Sequence, residues 1–446
     1  MSDPAPRDGQ ALDIRLVPAA LTGWLMSALG ILTPAGPAST ALCALIAAAV
    51  ALARRRLPAP VVAAVLAAGI VGAGFGAAIM LRNNMIRDHP LAARYGAAAE
   101  VTVTPSENPR PLGNGRLMFR ANLNRLGPQG SGGMVVVFAS GTAFGDVTAG
   151  RPVRFRARVS RPRRRDLTVA ALTAVGDPAF GTASPVQRLA SAVRGRFAAV
   201  TRETLPAGPA AILPGLVLGD TSGVSPPVTA QFKAAGLTHL MAVSGANVTI
   251  VCGAALLAAM FIGPRAAVLL AGVALLAFVV VVQPTASVLR AALMGGLSLL
   301  AVLTARRRQA VPALAGTVLA LLTVAPQLAI DAGFALSVSA TAALVVIAPA
   351  WSARLTGRGW PKPLADAVSV SAAAQLVTAP LIAGISGRFS LVAVAANLAA
   401  APVIAPITVL GTAAAAISTW WTGGAALLIR FCGPAVWWLP ESGWCR

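Results

Sequence analysis

The sequence predicts a polytopic α-helical membrane protein with a small extracellular β-domain, an OB-like barrel, inserted between two groups of helices. Three observations lead there. Of the 446 residues, 57% are hydrophobic and 11% charged, whereas soluble domains carry roughly a quarter charged residues. The apolar mass is Ala, Val and Leu with only 5% aromatics, and small side chains are what closely packed membrane helices use. The apolar stretches are interrupted once, from Arg82 to about Leu205, by a segment whose hydrophobicity alternates with period two. The chain therefore divides into N-terminal helices over 1–81, a β-domain ending in an amphipathic helix over 82–206, and a second membrane domain over 207–446.

The polar start, Met1 to Ile14, carries Asp3, Asp8 and Asp13 and is not the basic beginning of a cleavable signal. Leu16–Leu32, Ala38–Ala53 and Val61–Leu81 follow as spans. The first two are short against the ~20 residues a crossing needs, but neither holds a charge after Arg15. Arg54-Arg55-Arg56 precedes the third; if cytoplasmic, it puts the N-terminus inside and the residues after Leu81 outside.

In the β-domain, Glu100–Thr104, Leu117–Leu123, Met134–Ala139, Val153–Val159 and Leu167–Val175 read as strands separated by Gly, Pro and Asn. Short strands at this density suit a small barrel such as the OB-fold. Pro185–Leu205 reads as a helix for the membrane surface, with Val186, Leu189, Val193, Phe197 and Val200 on one face and Arg188, Arg194, Arg196 and Arg202 off it.

Beyond Pro209, helices are expected near Val228–Ile262, Ala266–Val282, Ala286–Thr304, Val311–Ala325, Gly333–Pro349, Leu364–Ile385, Leu391–Ser418 and Gly423–Leu439. The first is too long for one span and contains Gly236, Ser244-Gly245 and Asn247, so a break is expected there. Pro209–Gly219 is too short to cross and reads as re-entrant, which requires burial in protein or a cavity. Pro402 and Pro406 leave Leu391–Ser418 as one helix or two. Arg265, Arg306-Arg307-Arg308 and the loop with Arg354, Arg358 and Lys362 all fall in the cytoplasm if the β-domain is outside.

The net charge of +22 rests on 34 Arg and 2 Lys. Guanidinium forks match phosphate oxygens bidentately, whether of lipid or nucleic acid. Between Arg82 and Pro206, 19 Arg stand against 7 Asp and Glu. Arg154, Arg156 and Arg158 alternate with core-type residues, and Arg161, Arg163, Arg164 and Arg165 follow. This surface reads equally as nucleic-acid-binding or as a solvated or lipid-facing basic face. Stacking platforms are few: Phe119, Phe138, Phe144 and Phe155, with Phe119 and Phe155 facing the core. Of four cysteines, Cys43 and Cys252 read as buried small hydrophobes, whereas Cys432 and Cys445 would pair if that end lies outside the cytoplasm. With two histidines and no CxxC, neither a metal site nor a cofactor is expected.

Four blocks are polar where a lipid-facing helix would not be. They are Gly219-Asp220 with Gly236 to Val248 (GLTHLMAVSGANV), Pro284 to Met294 (PTASVLRAALM), Pro326 to Ser337 (PQLAIDAGFALS), and Ala374 to Leu381 continuing through Phe389-Ser390 to Asn397 and Pro402. Arg290 sits inside an apolar helix. It either lies near a membrane end, pairs with another helix, or faces a hydrated path, and the rarity of mid-helix arginine favours the path. Asp331 is as readily structural. His239, Ser244 and Asn247 do not share one face of an unbroken helix; with Gly245 they suit a helix interrupted in the membrane. Gln375 and Asn397 bond other helices or line the same path. No acidic partner or GxSxG elbow accompanies Ser244 and His239, so no catalytic residue and no enzymatic activity are expected.

The order and wording of these blocks resemble the competence domain of ComEC-type proteins: GLxHLxAxSGxNV, SVLRAxLM, DxGFxLS and QLxTxP…FS…AN…P. The resemblance covers Pro209 to Thr419. It implies a channel subunit moving one DNA strand across the cytoplasmic membrane during natural transformation, with Arg290, His239, Ser244, Gly245, Asn247, Asp331, Gln375 and Asn397 along the DNA path. It also implies membrane lipid and single-stranded DNA as partners, beside a separate nuclease, a DNA receptor and a cytoplasmic ATPase. Many relatives continue into a metallo-β-lactamase-like domain whose histidine motif is absent here, and no GxxxxGK[ST] loop occurs. Cutting and energy are thus expected from other proteins. The rivals are a secondary transporter of a smaller anionic solute and a non-transporting membrane scaffold.

Overall fold

A computed structural model of the chain describes residues 13–241, 243, 245–282, 286–303, 310–387 and 393–441. In chain order, α1 (Val17–Leu32), α2 (Gly36–Ala53) and α3 (Ala59–Arg87) lead into seven strands. These are β1 (Ala98–Pro105), β2 (Arg110–Gly113), β3 (Arg116–Leu126), β4 (Gln129–Gly130), β5 (Met134–Ser140), β6 (Val153–Ser160) and β7 (Ala170–Phe180). The helices resume with α4 (Pro185–Thr204), α5 (Ala207–Leu218), α6 (Pro226–Ala234), α7 (Thr238–Met241), α8 (Gly245–Ala258), α9 (Pro264–Val282) and α10 (Ala286–Leu303). They end with α11 (Ala310–Val324), α12 (Ala332–Val346), α13 (Ala348–Gly357), α14 (Lys362–Ser386), α15 (Ala393–Ile417) and α16 (Thr422–Glu441).

Among the described residues, six helical stretches are long and apolar enough to cross a bilayer: Gly36–Ala53, Ala59–Arg94, Pro264–Val282, Ala332–Gly357, Lys362–Ile385 and Ala393–Ile417. The protein is a multi-pass membrane protein carrying one OB-like barrel. α15 runs unbroken through Pro402 and Pro406, so the two-helix alternative does not hold. Each proline leaves a carbonyl one turn back without its usual donor, a loss that neighbouring groups make tolerable in membrane helices.

The chain forms two compact units. The first gathers Met1–Ala28, Pro37–Gly76 and Leu293–Phe389. Its α2 and α3 meet through small residues: a Cβ on Gly69 would lie 2.8 Å from Ala47 Cβ, and one on Gly72 3.0 Å from Cys43 Sγ. Such close approach is how apolar helices gain dispersion contact where lipid offers no hydrophobic drive. α1 is pinned by Trp24, whose Nε1 donates to Ala329 O at 2.8 Å and whose ring lies 5.2 Å from that of the fully buried Phe334. α14 packs along α12 and α13, where Ser352 Oγ donates to Asp366.

The second unit gathers Leu29–Gly36, Ala77–Ala292 and Ser390–Arg446. Its barrel closes in the order β1-β3-β5-β7-β6 and back to β1; β5 and β7 run parallel and the other pairs antiparallel. Strict alternation produces it: in β6, Val153, Phe155, Ala157 and Val159 point inward while Arg154, Arg156 and Arg158 point out. Phe144 packs edge-on against Phe155 at 5.6 Å. All five expected strands are present. The last starts later than expected, because Leu167 adopts a left-handed φ of +63° and β7 begins only at Ala170. The barrel is fixed to the end of α3 by His89, whose Nδ1 accepts from Leu91 N–H at 3.1 Å while Nε2 donates to Gly132 O at 2.8 Å.

α4 departs from the surface helix the sequence suggests. Ser184 caps it, accepting from Gln187 N–H, and Val186 and Leu189 are exposed. Phe197 and Val200 in its second half are instead buried, and the helix packs on α5, α9, α15 and α16. Amphipathicity marks a face that must be covered, and here protein covers half of it.

Candidate functional site

The first signature block folds as an interrupted helix. α6 stops before Gly236, whose φ of +72° is open to glycine at little cost; α7 lasts four residues; α8 begins afresh at Gly245. Ahead of them, the 12-residue α5 ends at Gly219, φ +72°. There the Gly219 and Asp220 N–H groups turn back to the carbonyls of Gly215 and Pro214, at 2.9 and 3.2 Å. At 12 and 14 residues, α5 and α8 are about 18 and 21 Å long against a hydrocarbon core of about 30 Å, so neither crosses alone.

The two half-helices are tied together. Asn247, 4% exposed, donates through Nδ2 to Leu216 O at 3.1 Å, satisfying a carbonyl of the last turn of α5. A Cβ on Gly219 would sit 3.3 Å from Val243. Gly219-Asp220 and the pair Val243 and Asn247, about 25 positions apart in the chain, are thus brought together. This arrangement joins the carbonyl end of α5 to the N–H end of α8, the helix-terminus geometry used where ions meet interrupted membrane helices.

Arg290 completes it. The residue lies in α10 between Val288 and Ala291, both buried, and is itself only 6% exposed. Its guanidinium reaches the first residue of α8: a Cβ on Gly245 would lie 3.1 Å from Arg290 Nη2 and 3.5 Å from Ala291 Cβ. Gly245 is therefore a matter of space. The positive end of the α8 dipole and a guanidinium are brought to one place, an arrangement that concentrates positive potential and favours an anion.

The other residues named from sequence fall as follows. His239 is exposed on α7, and Asn397 is half-buried on α15, which packs on α8 and α5. Ser244 lies outside the described residues, as do Cys445 and Arg306 to Arg308. Asp331 and Gln375 belong to the other unit. Asp331 is the N-cap of α12, its Oδ1 accepting from Phe334 N–H at 2.7 Å. With Phe334 packed against Trp24 at a tilt of 54°, the DxGFxLS block there is a capping and packing motif. Gln375 is half-buried on α14.

On the barrel, Arg154, Arg156 and Arg158 form an exposed row, and Arg163, Arg164 and Arg165 are exposed in the β6–β7 connection. Arg154 is partly neutralised, its Nε donating to Glu100 Oε1 at 2.5 Å. That hydrogen bond holds the Glu100 carboxyl below its ordinary range and raises the guanidinium. The outer surface of β3 and β5 carries what sequence reading undervalued: half-buried Phe138 pairs across strands with Met118, flanked by exposed Arg116 and Arg120. In OB-folds, the second and third barrel strands with the first and last inter-strand loops form the oligonucleotide face; here these are β3, β5 and the loop of Arg163 to Arg165.

A family model described as Competence protein matches residues 216–442. The chain belongs to the Competence protein family. The matched segment of this Competence family member contains the α8 terminus, Arg290 and all of α16. ComE operon protein 3 of Bacillus subtilis (strain 168) is 28% identical over 213 residues, covering 47% of this chain and 26% of that relative. The shared stretch is thus about a quarter of the relative's length. No solved structure matches.

Sequence reading placed Arg194 off the apolar stripe of α4 without a partner and did not single out Arg430. Arg194 of α4, half-buried, donates through Nη1 to Val281 O in the last turn of α9 at 2.7 Å. Arg430 lies in the middle of α16 and is exposed. Counting charges inside apolar windows would have found it beside Arg290.

Proposed function

We propose that this Competence family member forms a membrane passage for single-stranded DNA taken up during natural transformation, acting as a conduit without covalent chemistry of its own. The observation that carries the reading is Arg290, buried in an apolar helix with its guanidinium against the N-terminus of the half-helix α8. A buried arginine among apolar helices is costly unless polar groups, water or an anion meet it, and a strand of DNA presents phosphates in succession. Membership of the family and the likeness to ComE operon protein 3 support DNA as the cargo.

The barrel receives the strand. Its β3–β5 surface offers Phe138 and Met118 for base contact, with Arg116 and Arg120 beside them and Arg163 to Arg165 at the rim. This is the pairing of apolar platform and cation that single-stranded nucleic acid uses. The basic row of Arg154, Arg156 and Arg158 adds longer-range attraction. The positive-inside pattern supports a cytoplasmic-membrane orientation with the N-terminus in the cytoplasm and the barrel outside. Strand cutting, capture of duplex DNA and the driving force come from a nuclease, a receptor and an ATPase on other chains. Weak, repeated phosphate contacts suit a path that must release what it binds.

The test is transformation of a strain deleted for this gene and complemented with wild type or Arg290→Ala. Wild type restores uptake and the variant does not. Undiminished uptake in the deletion strain sinks the reading.

A further inference from the structure

α16 carries an arginine midway along its length, Arg430, on the face that its packing leaves exposed. The helix has 20 residues, about 30 Å of length, close to the thickness of a hydrocarbon core. Its inner stripe, Ala425, Ile429, Cys432 and Val436, is at most 1% exposed and packs on α4, α5, α6 and α15. The opposite stripe is open: Leu427 is 55% exposed, Phe431 67% and Trp437 53%, with Arg430 exposed among them.

Tryptophan pairs mark both ends. Trp420 and Trp421 precede the helix, Trp437 and Trp438 lie near its end, and all four are exposed, as aromatic belts at two interfaces are. Arg430 falls nine residues after Trp421 and seven before Trp437, roughly 13 and 10 Å along the axis. Both belts lie beyond the reach of its three-methylene stem. Among the described residues it has no ion-pair partner.

A guanidinium so placed is expensive against hydrocarbon. Its neighbours narrow what it meets. Phe431 adjoins it and Trp437 lies two turns along on the same stripe, so flat aromatic surface and a cation alternate along one exposed face. A small inorganic anion has no use for the rings and an acyl chain none for the cation, whereas a nucleotide uses both.

Resting on the DNA-conduit reading above, we infer that the Leu427–Arg430–Phe431–Trp437 face of α16 is a wetted wall of the passage, where Arg430 meets phosphate and Phe431 and Trp437 meet bases. Arg430 is then a second phosphate contact, on a different helix from Arg290.

The test uses the full chain in liposomes, with Cys43, Cys252, Cys432 and Cys445 replaced by serine or alanine. Single cysteines are introduced as Arg430→Cys, His239→Cys (the interrupted-helix region), Leu276→Cys (an exposed apolar position of α9) and Asn114→Cys (the barrel). Each is exposed to a membrane-impermeant cationic methanethiosulfonate with and without excess oligothymidylate. The expected result is labelling of Arg430→Cys at least tenfold faster than Leu276→Cys, slowed several-fold by the oligonucleotide. Addition of an aminoethyl thiosulfonate to Arg430→Cys, which restores a cation, should recover oligonucleotide entry.

Labelling no faster than Leu276→Cys, while His239→Cys is labelled and protected, overturns the α16 wall and leaves the conduit reading standing. Loss of protection at both positions, with Asn114→Cys labelled normally, overturns the conduit and the wall together. Should Arg430→Cys fail to insert, Phe431→Cys on the same face carries the same expectations.

Discussion

The barrel and the interrupted-helix region both present arginine, yet they hold it in opposite ways. On the barrel, Arg154, Arg156 and Arg158 are exposed on a strand whose alternate residues build the core, and Glu100 already satisfies Arg154. In the helical region one arginine, Arg290, is 6% exposed and packs its guanidinium against the glycine at position 245. Water screens and replaces the first kind of charge, so each contributes little and the sum matters. The second kind is shielded from water and held by its packing. On the reading proposed above, the barrel attracts a polyanion by the number of its exposed charges, whereas Arg290 acts from one fixed, buried position.

Six variants test that contrast. Arg290→Ala should have the largest effect, lowering DNA uptake by about 100-fold or more, as removal of a desolvated charged group does. Arg290→Lys should recover only part, because a point charge does not reproduce the fork. Gly245→Ala should come next. The added methyl pushes on a guanidinium 3.1 Å away, and overpacking of about 1–3 kcal/mol predicts roughly a tenfold loss with normal membrane insertion. An undiminished rate would mean that the Arg290 position is not critical.

On the barrel, Arg154→Gln, Arg156→Gln and Arg158→Gln combined should weaken oligonucleotide binding only several-fold at low salt. The salt dependence should flatten by about 0.7 in log–log slope for each phosphate no longer neutralised. Gln in place of Arg163, Arg164 and Arg165 should cost more, being at the rim of the β3–β5 face. Equal losses from the two triples would show that no face of the barrel is special.

The smallest effect belongs to Glu100→Gln, which should tighten oligonucleotide binding slightly by releasing Arg154. Since the folded-state carboxyl titrates below its unfolded value, the pair contributes stability above the unfolded pKa of about 4.3. That contribution is lost as pH falls through the lower, folded value. Thermal unfolding of the protein between pH 7 and 3 should show this loss in wild type and lack it in Glu100→Gln.

Much of this was readable from residues. Alternation located all five barrel strands, and Gly236 with Gly245 announced an interrupted helix. An arginine in an apolar run stands out in the sequence, and the structure places Arg290 among buried neighbours. Its partner was hidden: the approach to Gly245 joins α10 to α8, and no local pattern encodes which helix ends meet.

Asp331, as readily structural as path-lining in the sequence, caps α12, and Asn247 clamps α8 to α5, since short polar side chains serve backbone groups wherever helices begin. Arg430 was missed because tryptophans and leucines around it made the window look like an ordinary span. The buried half of α4 was missed for a related reason: a stripe shows that something covers it, and only tertiary structure says what.

The most direct measurement is flux of a fluorescent single-stranded oligonucleotide into liposomes holding the purified chain, under an imposed membrane potential. Saturable entry through wild type and background entry through Arg290→Ala, both folded to the same extent, is the predicted result. Entry through Arg290→Ala equal to wild type, or wild type no better than empty liposomes, would contradict a phosphate-conducting passage at the α8 terminus.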